Sequence, residues 1–136
     1  MDKFEGIWRL VDSRAWDEAT QSWNAPYGSR PIGQLTFSNG RMLAALCNGD
    51  AVLRTNVDRN YSSYGGSYTF DGETLETLVD VASDPSRIGS VQKRGVLMDG
   101  RQMILKPPPR LYGGKQQSRE LVWEQVWWPD QDQARS

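Results

Sequence analysis

Apolar and polar residues alternate along most of this chain, and turn signals interrupt the alternation at short intervals. A period of two is typical of strands that bury one face. Tight hairpins are favoured by Asn-Gly and Asp-Gly pairs, which tolerate positive φ; they occur at Asn39-Gly40, Asp71-Gly72 and Asp99-Gly100. The pattern predicts about eight strands, at 6–16, 32–37, 41–47, 61–70, 74–82, 88–98, 101–106 and 119–127.

Most of the segments between these strands are short. Residues 23–31 contain two prolines and are predicted to form an irregular arm, and residues 48–60 are predicted to form a loop or a single helical turn. The Gly65-Gly66 pair inside one strand suggests a bulge or a sharp bend at a barrel corner. The sequence therefore predicts an all-β protein: a single up-and-down antiparallel barrel of about eight strands. We expect one domain over residues 1–128 and a polar tail at 129–136.

Composition narrows the range of functions. The chain has 136 residues and a formal net charge of -1. It therefore shows no excess of positive charge that would predict binding to nucleic acid or to an anionic membrane. The single cysteine, Cys47, allows no internal disulfide and fits a reducing compartment. The first five residues show no signal peptide, and no segment has the ~20 apolar residues of a membrane span. These features predict a cytoplasmic protein.

The chain contains no histidine, and this excludes several kinds of site. Ser-His and Cys-His nucleophile pairs are not available. The usual ligands of zinc, copper and non-haem iron are missing too, since one cysteine cannot replace them. We therefore expect neither a metal nor a cofactor. Any catalysis would use Asp, Glu, Tyr, Lys or Arg, or would act by shaping a reactive substrate.

Arg94 is the most informative charge in the chain. On the strand over 88–98 it shares a face with Gln92, Val96 and Met98. A buried guanidinium needs a partner or an anionic ligand. One hypothesis is that Arg94 and a carboxylate orient a polar ligand group, or act as an acid–base pair whose pKa values are shifted by burial. The other is that it caps the barrel base and stacks on Trp8, whose own face would include Leu10 and Asp12.

The remaining candidates follow from strand parity. Tyr64 and Tyr68 flank the glycine-rich bend; their hydroxyls either donate to a ligand carbonyl or enolate, or simply fill the barrel. Tyr27, between prolines, is either a lid residue or a loop anchor. The predicted catalytic residues are Arg94, Tyr64, Tyr68 and Glu76. The predicted ligand-binding residues are Tyr27, Gln34, Met42, Asp80, Gln92, Trp123 and Glu124. Glu76, Asp80 and Glu124 are the candidate carboxylate partners of Arg94.

Six tryptophans are many for this length. Neighbouring residues on a strand point to opposite faces, so Trp127 and Trp128 cannot both face the interior. One of them is expected on the outside, either as part of a homodimer contact or packed against the N-terminal segment.

Several segments in order resemble the bacterial and fungal lipocalin-like domain family, a calycin-type barrel, over about residues 4–127. They are Gly6-Ile7-Trp8-Arg9-Leu10-Val11, Pro26-Tyr27-Gly28, Pro31-Ile32-Gly33-Gln34-Leu35, Gly40-Arg41-Met42, Tyr64-Gly65-Gly66-Ser67-Tyr68, Asp84-Pro85-Ser86-Arg87-Ile88-Gly89, Gln92-Lys93-Arg94 and Leu121-Val122-Trp123-Glu124. Related domains often carry histidines on the strand that here spans residues 76–81, so their imidazole chemistry is not expected in this chain.

The resemblance implies a barrel that Trp8 plugs at one end and that is open at the other, a cup for a small molecule. Three functions follow as hypotheses. The first is binding of a largely apolar or polyketide-like molecule. The second is a cofactor-independent cyclase, isomerase or dehydratase of secondary metabolism that uses the same cavity. The third is a small structural or regulatory protein whose barrel is filled by its own side chains.

Overall fold

A computed structural model describes residues 3–108, 110–112 and 115–130, so that residues 131–136 of the expected tail lie outside the described residues. Ten strands run along the chain. They are β1 (Gly6–Asp17), β2 (Ser22–Asn24), β3 (Pro31–Ser38), β4 (Arg41–Asn48), β5 (Tyr61–Phe70), β6 (Thr74–Ala82), β7 (Val91–Asp99), β8 (Gln102–Lys106), β9 (Arg110–Tyr112) and β10 (Lys115–Trp127). A 3₁₀ turn, Pro85–Arg87, lies between β6 and β7.

The strands form one antiparallel sheet that closes on itself. Its order is β2-β1-β3-β4-β5-β6-β7-β8-β10-β9, and β1 also pairs with β10. Eight strands therefore make the barrel, while β2 and β9 are short additions to β1 and β10. The predicted all-β antiparallel barrel is confirmed. No helix among the described residues is long and apolar enough to cross a membrane.

The largest differences from the predicted strand boundaries occur at three places. The arm over 23–31 contributes Trp23 and Asn24 to β2, which pairs with the end of β1. The strand expected from Ile88 begins at Val91, because residues 88–90 close the 3₁₀ turn with backbone hydrogen bonds such as Ser90 N–H to Arg87 C=O. The last strand begins at Lys115 rather than at Arg119. Residues 49–60 form a loop with neither strand nor helix.

A bulge in β1 changes which residues point inward. The register between β1 and β10 shifts between Leu10 and Asp12. As a result Leu10 and Ser13 are buried on the inner face, while Val11 is exposed. The expectation that Asp12 shares the face of Trp8 is therefore wrong. Asp12 instead accepts a hydrogen bond from Arg14 at 3.3 Å.

The predicted bulge at Gly65-Gly66 is present. Gly65 pairs with Val81 and Gly66 with Val79, which leaves Asp80 as the extra residue on β6. A Cβ atom on Gly66 would overlap the carbonyl oxygen of Leu78, so only glycine fits this close approach.

Bulky side chains fill one end of the barrel. Trp8 is completely buried, and its indole N–H donates to the carbonyl oxygen of Phe4 at 2.9 Å. Phe4 and Phe37 lie 5.3 Å apart by ring centroid, and Tyr68 meets the ring of Phe37 at 4.9 Å. Trp123 is buried in the same core. The predicted role of Trp8 as the plug is consistent with this packing.

Candidate functional site

The opposite end of the barrel holds a cavity of about 290 Å³. Its wall combines apolar, hydroxyl-bearing and cationic side chains with one carboxylate at the mouth. The lining residues are Ser13, Tyr27, Leu46, Tyr61, Ser62, Tyr64, Ser83, Asp84, Arg87, Arg94, Pro107, Arg119 and Leu121. Polar groups make up most of this lining, and Leu46, Pro107 and Leu121 supply its apolar surface. A concave pocket on which several polar groups converge is a candidate small-molecule site.

Arg94 lies in this cavity wall. One terminal nitrogen, Nη2, donates to Oε1 of Gln92 at 2.8 Å, and the other, Nη1, donates to the carbonyl oxygen of Lys93 at 2.9 Å. Its guanidinium carbon lies 5.8 Å from the ring centroid of Tyr64. Arg94 and Tyr64 are thus brought together as expected.

Gln92 holds a second arginine beside the first. Arg87 Nη2 donates to the same Oε1 atom at 3.0 Å, and its guanidinium carbon lies 4.3 Å from the ring centroid of Tyr64. The Gln92 amide is oriented by its other end, since Nε2 donates to Oγ of Ser90 at 3.3 Å. The two guanidiniums therefore share one neutral acceptor and lie near one aromatic ring.

The three candidate carboxylates do not face the cavity. Glu76 lies on the outer surface with its Oε1 atom 3.7 Å from Nζ of Lys93, and Glu124 accepts a hydrogen bond from Arg9 at 2.7 Å. Asp80 accepts one from Arg41 at 2.8 Å, and this bond lowers the pKa of its carboxyl below the usual value. The expectation that one of them pairs with Arg94 is wrong.

The reason lies in the pattern of β6, which carries apolar residues on both parities. Leu75, Thr77 and Val79 point inward, whereas Leu78 is exposed on the side of Glu76. Because Leu78 is apolar, the sequence pattern suggested that the residues sharing its face, including Glu76, point inward. Downstream, the bulge at Asp80 changes the phase again.

The remaining predicted site residues, including the predicted catalytic residue Tyr68, are distributed over three places. Tyr27 is half-buried and lines the cavity. Met42, Tyr68 and Trp123 belong to the packed core at the closed end, so the structure does not place them with Arg94. Gln34 is on the outer surface, where its Nε2 atom donates to Oγ1 of Thr36 at 3.2 Å; its expected position in the cavity is wrong.

Sequence analysis missed two of the three cavity arginines. Arg87 closes the Asp84-Pro85-Ser86-Arg87 segment, which served only as a family marker, and the 3₁₀ turn is what aims it at the cavity. Arg119 shares the parity of Leu121 and Trp123 on β10, and that parity was available as a signal.

Asp84 is the acidic group at the cavity mouth. Its Oδ1 atom accepts hydrogen bonds from the hydroxyl of Ser86 at 2.7 Å and from its backbone N–H at 3.0 Å. These bonds, with a smaller contribution from the charge of Arg87, lower the pKa of Asp84 below its usual value. Across the described residues, no cluster of three or more His, Cys, Asp or Glu side chains is suited to hold a metal ion.

Comparison with known proteins identifies one match. The model of the lipocalin-like domain family matches residues 5–128, which is nearly the whole chain. No curated protein and no solved structure matches it. A lipocalin-like barrel fits the binding of small ligands in general.

Proposed function

Because the chain belongs to the lipocalin-like domain family, we propose that it binds a small molecule in the open end of the barrel. The observation that carries this proposal is the contrast between the two ends. Aromatic side chains fill the closed end, whereas a cavity of about 290 Å³ remains at the other. The third hypothesis, a barrel filled by its own side chains, does not account for this space.

The ligand that we propose has a largely apolar, planar body of the aromatic or polyketide kind. Tyr64, Tyr27, Leu46, Leu121 and Pro107 supply apolar contact surface in the cavity wall. The volume accommodates on the order of ten water-sized groups, which favours a small ring system over a long-chain lipid. We further propose a role in secondary metabolism and a cytoplasmic location, in keeping with the free thiol of Cys47.

A cofactor-independent cyclase, isomerase or dehydratase is the second candidate, and one observation favours it. Tyr64 lines the cavity with the guanidinium carbons of Arg87 and Arg94 at 4.3 and 5.8 Å from its ring centroid. Fixed donors of this kind stabilise a developing enolate. Glu76 faces away, so proton transfer would pass to the Tyr64 hydroxyl, and Arg94 would act as a fixed cationic donor that stays protonated.

A cavity-filling variant tests the proposed function. Ser62 lines the cavity on β5, and Ser67 is exposed on the same strand. Ser62→Phe should abolish the thermal stabilisation that planar aromatic ligands give to the wild-type protein, and Ser67→Phe should retain it. Equal binding by both variants would place the ligand elsewhere. Product analysis by mass spectrometry on the ligands that bind separates turnover from binding alone.

A further inference from the structure

The cavity contains an arginine that no carboxylate neutralises among the residues that the structure describes. We propose that the ligand is an organic carboxylate and that Arg94 binds its carboxylate group. This inference rests on the proposed function, because it specifies the chemical class of the molecule that the same cavity would hold.

The contacts of Arg94 leave its charge uncompensated. Its two terminal nitrogens donate to a backbone carbonyl and to the amide oxygen of Gln92, and both acceptors are neutral. Its third nitrogen, Nε, is buried and has no hydrogen-bond partner within the described part of the chain. A buried donor without an acceptor is costly. Among the described residues, the guanidinium of Arg94 therefore has no anionic partner.

Arg87 places a second positive charge beside that of Arg94. Its guanidinium and that of Arg94 donate to a single Gln92 oxygen, at 3.0 and 2.8 Å, so that two positive charges lie side by side. The two guanidinium charges repel each other, and the low dielectric of a partly buried site strengthens this repulsion. A negative group bound beside them would convert it into attraction.

The nearby acidic side chains do not supply that negative charge to Arg94. Asp84 lies at the mouth, where it is exposed and where Ser86 occupies its Oδ1 atom. The charge of Arg87 contributes to the lowered pKa of Asp84. With Arg119, the described lining contains three guanidiniums and one carboxylate. Within this described lining, cationic side chains therefore outnumber anionic ones.

The geometry favours a carboxylate over a neutral polar group. A guanidinium presents N–H donors in a planar fork that matches the two oxygens of a carboxylate. The ring of Tyr64 stands beside both guanidiniums, and Leu46, Leu121 and Pro107 line the same cavity and provide apolar contact surface for the body of the ligand. An aromatic or conjugated monocarboxylic acid satisfies both features.

The test compares acids with their amides on the full chain. We would measure the affinity of 2-naphthoate and trans-cinnamate, and of the two corresponding primary amides, by isothermal titration calorimetry. The acids should bind at least about tenfold more tightly than the amides, because a charge-assisted hydrogen bond is about twice as strong as a neutral one. Raising the salt concentration should weaken binding of the acids more than that of the amides.

Variants assign the effect to Arg94. Arg94→Met should weaken the affinity for the acids by about 10- to 100-fold and leave the affinity for the amides unchanged. Arg94→Lys, which keeps the positive charge, should restore part of the lost affinity. Arg41→Met is the matched control, because Arg41 is an outer-face arginine paired with Asp80. It should bind the acids like the wild type. Should Arg94→Met not fold, Arg94→Gln and the salt dependence of the wild-type protein replace it.

Each other outcome contradicts the inference in a different way. Equal affinity for acids and amides, or wild-type affinity for the acids in Arg94→Met, would contradict the proposal that Arg94 binds a carboxylate. The proposal that the cavity binds a small molecule would be unaffected. Binding of inorganic phosphate that displaces the acids at a lower concentration would reassign the site to a phosphate group. Failure of all acids, all amides and a broad neutral aromatic panel to bind would overturn the proposed function as well.

Discussion

Replacing Trp8 with alanine tests the role of the barrel plug most directly. The side chain is completely buried, and its indole N–H is the donor to a buried Phe4 carbonyl at 2.9 Å. A large-to-small change of this kind costs ~3–5 kcal/mol, and the carbonyl that loses its donor adds about 1 kcal/mol or more. We expect Trp8→Ala to lower the free energy of unfolding by about 4–6 kcal/mol, a large part of the ~5–15 kcal/mol of a typical domain.

Trp128→Ala provides the control. Trp128 is only half-buried, and the guanidinium carbon of Arg101 lies 3.4 Å from its ring centroid. Loss of such a cation–π contact at a partly exposed site costs about 1 kcal/mol. Trp8→Phe is the second control. It keeps an aromatic body in the plug without the indole N–H, and it should recover more than half of the loss.

Equilibrium unfolding in urea, followed by far-UV circular dichroism, measures all three variants without relying on the fluorescence of the tryptophan that is removed. An unchanged m-value would show that the variants differ in stability rather than in the compactness of their end states. Equal small losses in Trp8→Ala and Trp128→Ala would refute the plug, since they would mean that the closed end does not depend on Trp8.

Three further predictions concern the strands and one turn. Gly66→Ala should destabilise the protein by about 2–4 kcal/mol because a Cβ would overlap a β6 carbonyl, whereas Gly95→Ala, with its nearest neighbour at 3.7 Å, should change the melting temperature little. Asp71 accepts the N–H groups of the next turn, which lowers its pKa, so its contribution is present above the unfolded pKa of ~3.9 and is lost as the pH falls through the lower folded value. Urea titrations of Asp71→Asn should therefore show a deficit at pH 7 that shrinks near pH 3; a constant deficit would contradict this. Glu76→Gln should leave ligand affinity unchanged in calorimetry, because Glu76 faces solvent. A large loss of affinity would instead mean that Glu76 contributes to the binding site.

The local pattern was enough to predict the architecture. Alternation identifies strands, and Asn39-Gly40, Asp71-Gly72 and Asp99-Gly100 identify hairpins, because both signals depend only on neighbouring residues. The bulge at Gly65-Gly66 was visible for the same reason, since paired glycines inside a strand weaken it unless a close approach requires them.

The same pattern left the interior uncertain wherever both parities of a strand were partly apolar. Alternation gives the period of a strand but not which phase faces inward. Only packing against the other strands chooses that phase, and on β6 it chose Leu75 and Val79 over Leu78. This choice placed Glu76 on the surface. Bulges at Val11 and Asp80 then reversed the phase within single strands.

Tertiary structure also decided the composition of the site. Arg94 was identifiable from its place on an inward-facing strand, but Arg87 reaches the cavity through a 3₁₀ turn that joins two strands. Barrel closure brings Arg119, from the far end of the chain, to the same wall. Side-chain alternation is a property of neighbours and is written in the sequence. The three guanidiniums come together only when the barrel closes, and closure depends on the register of every strand in the barrel.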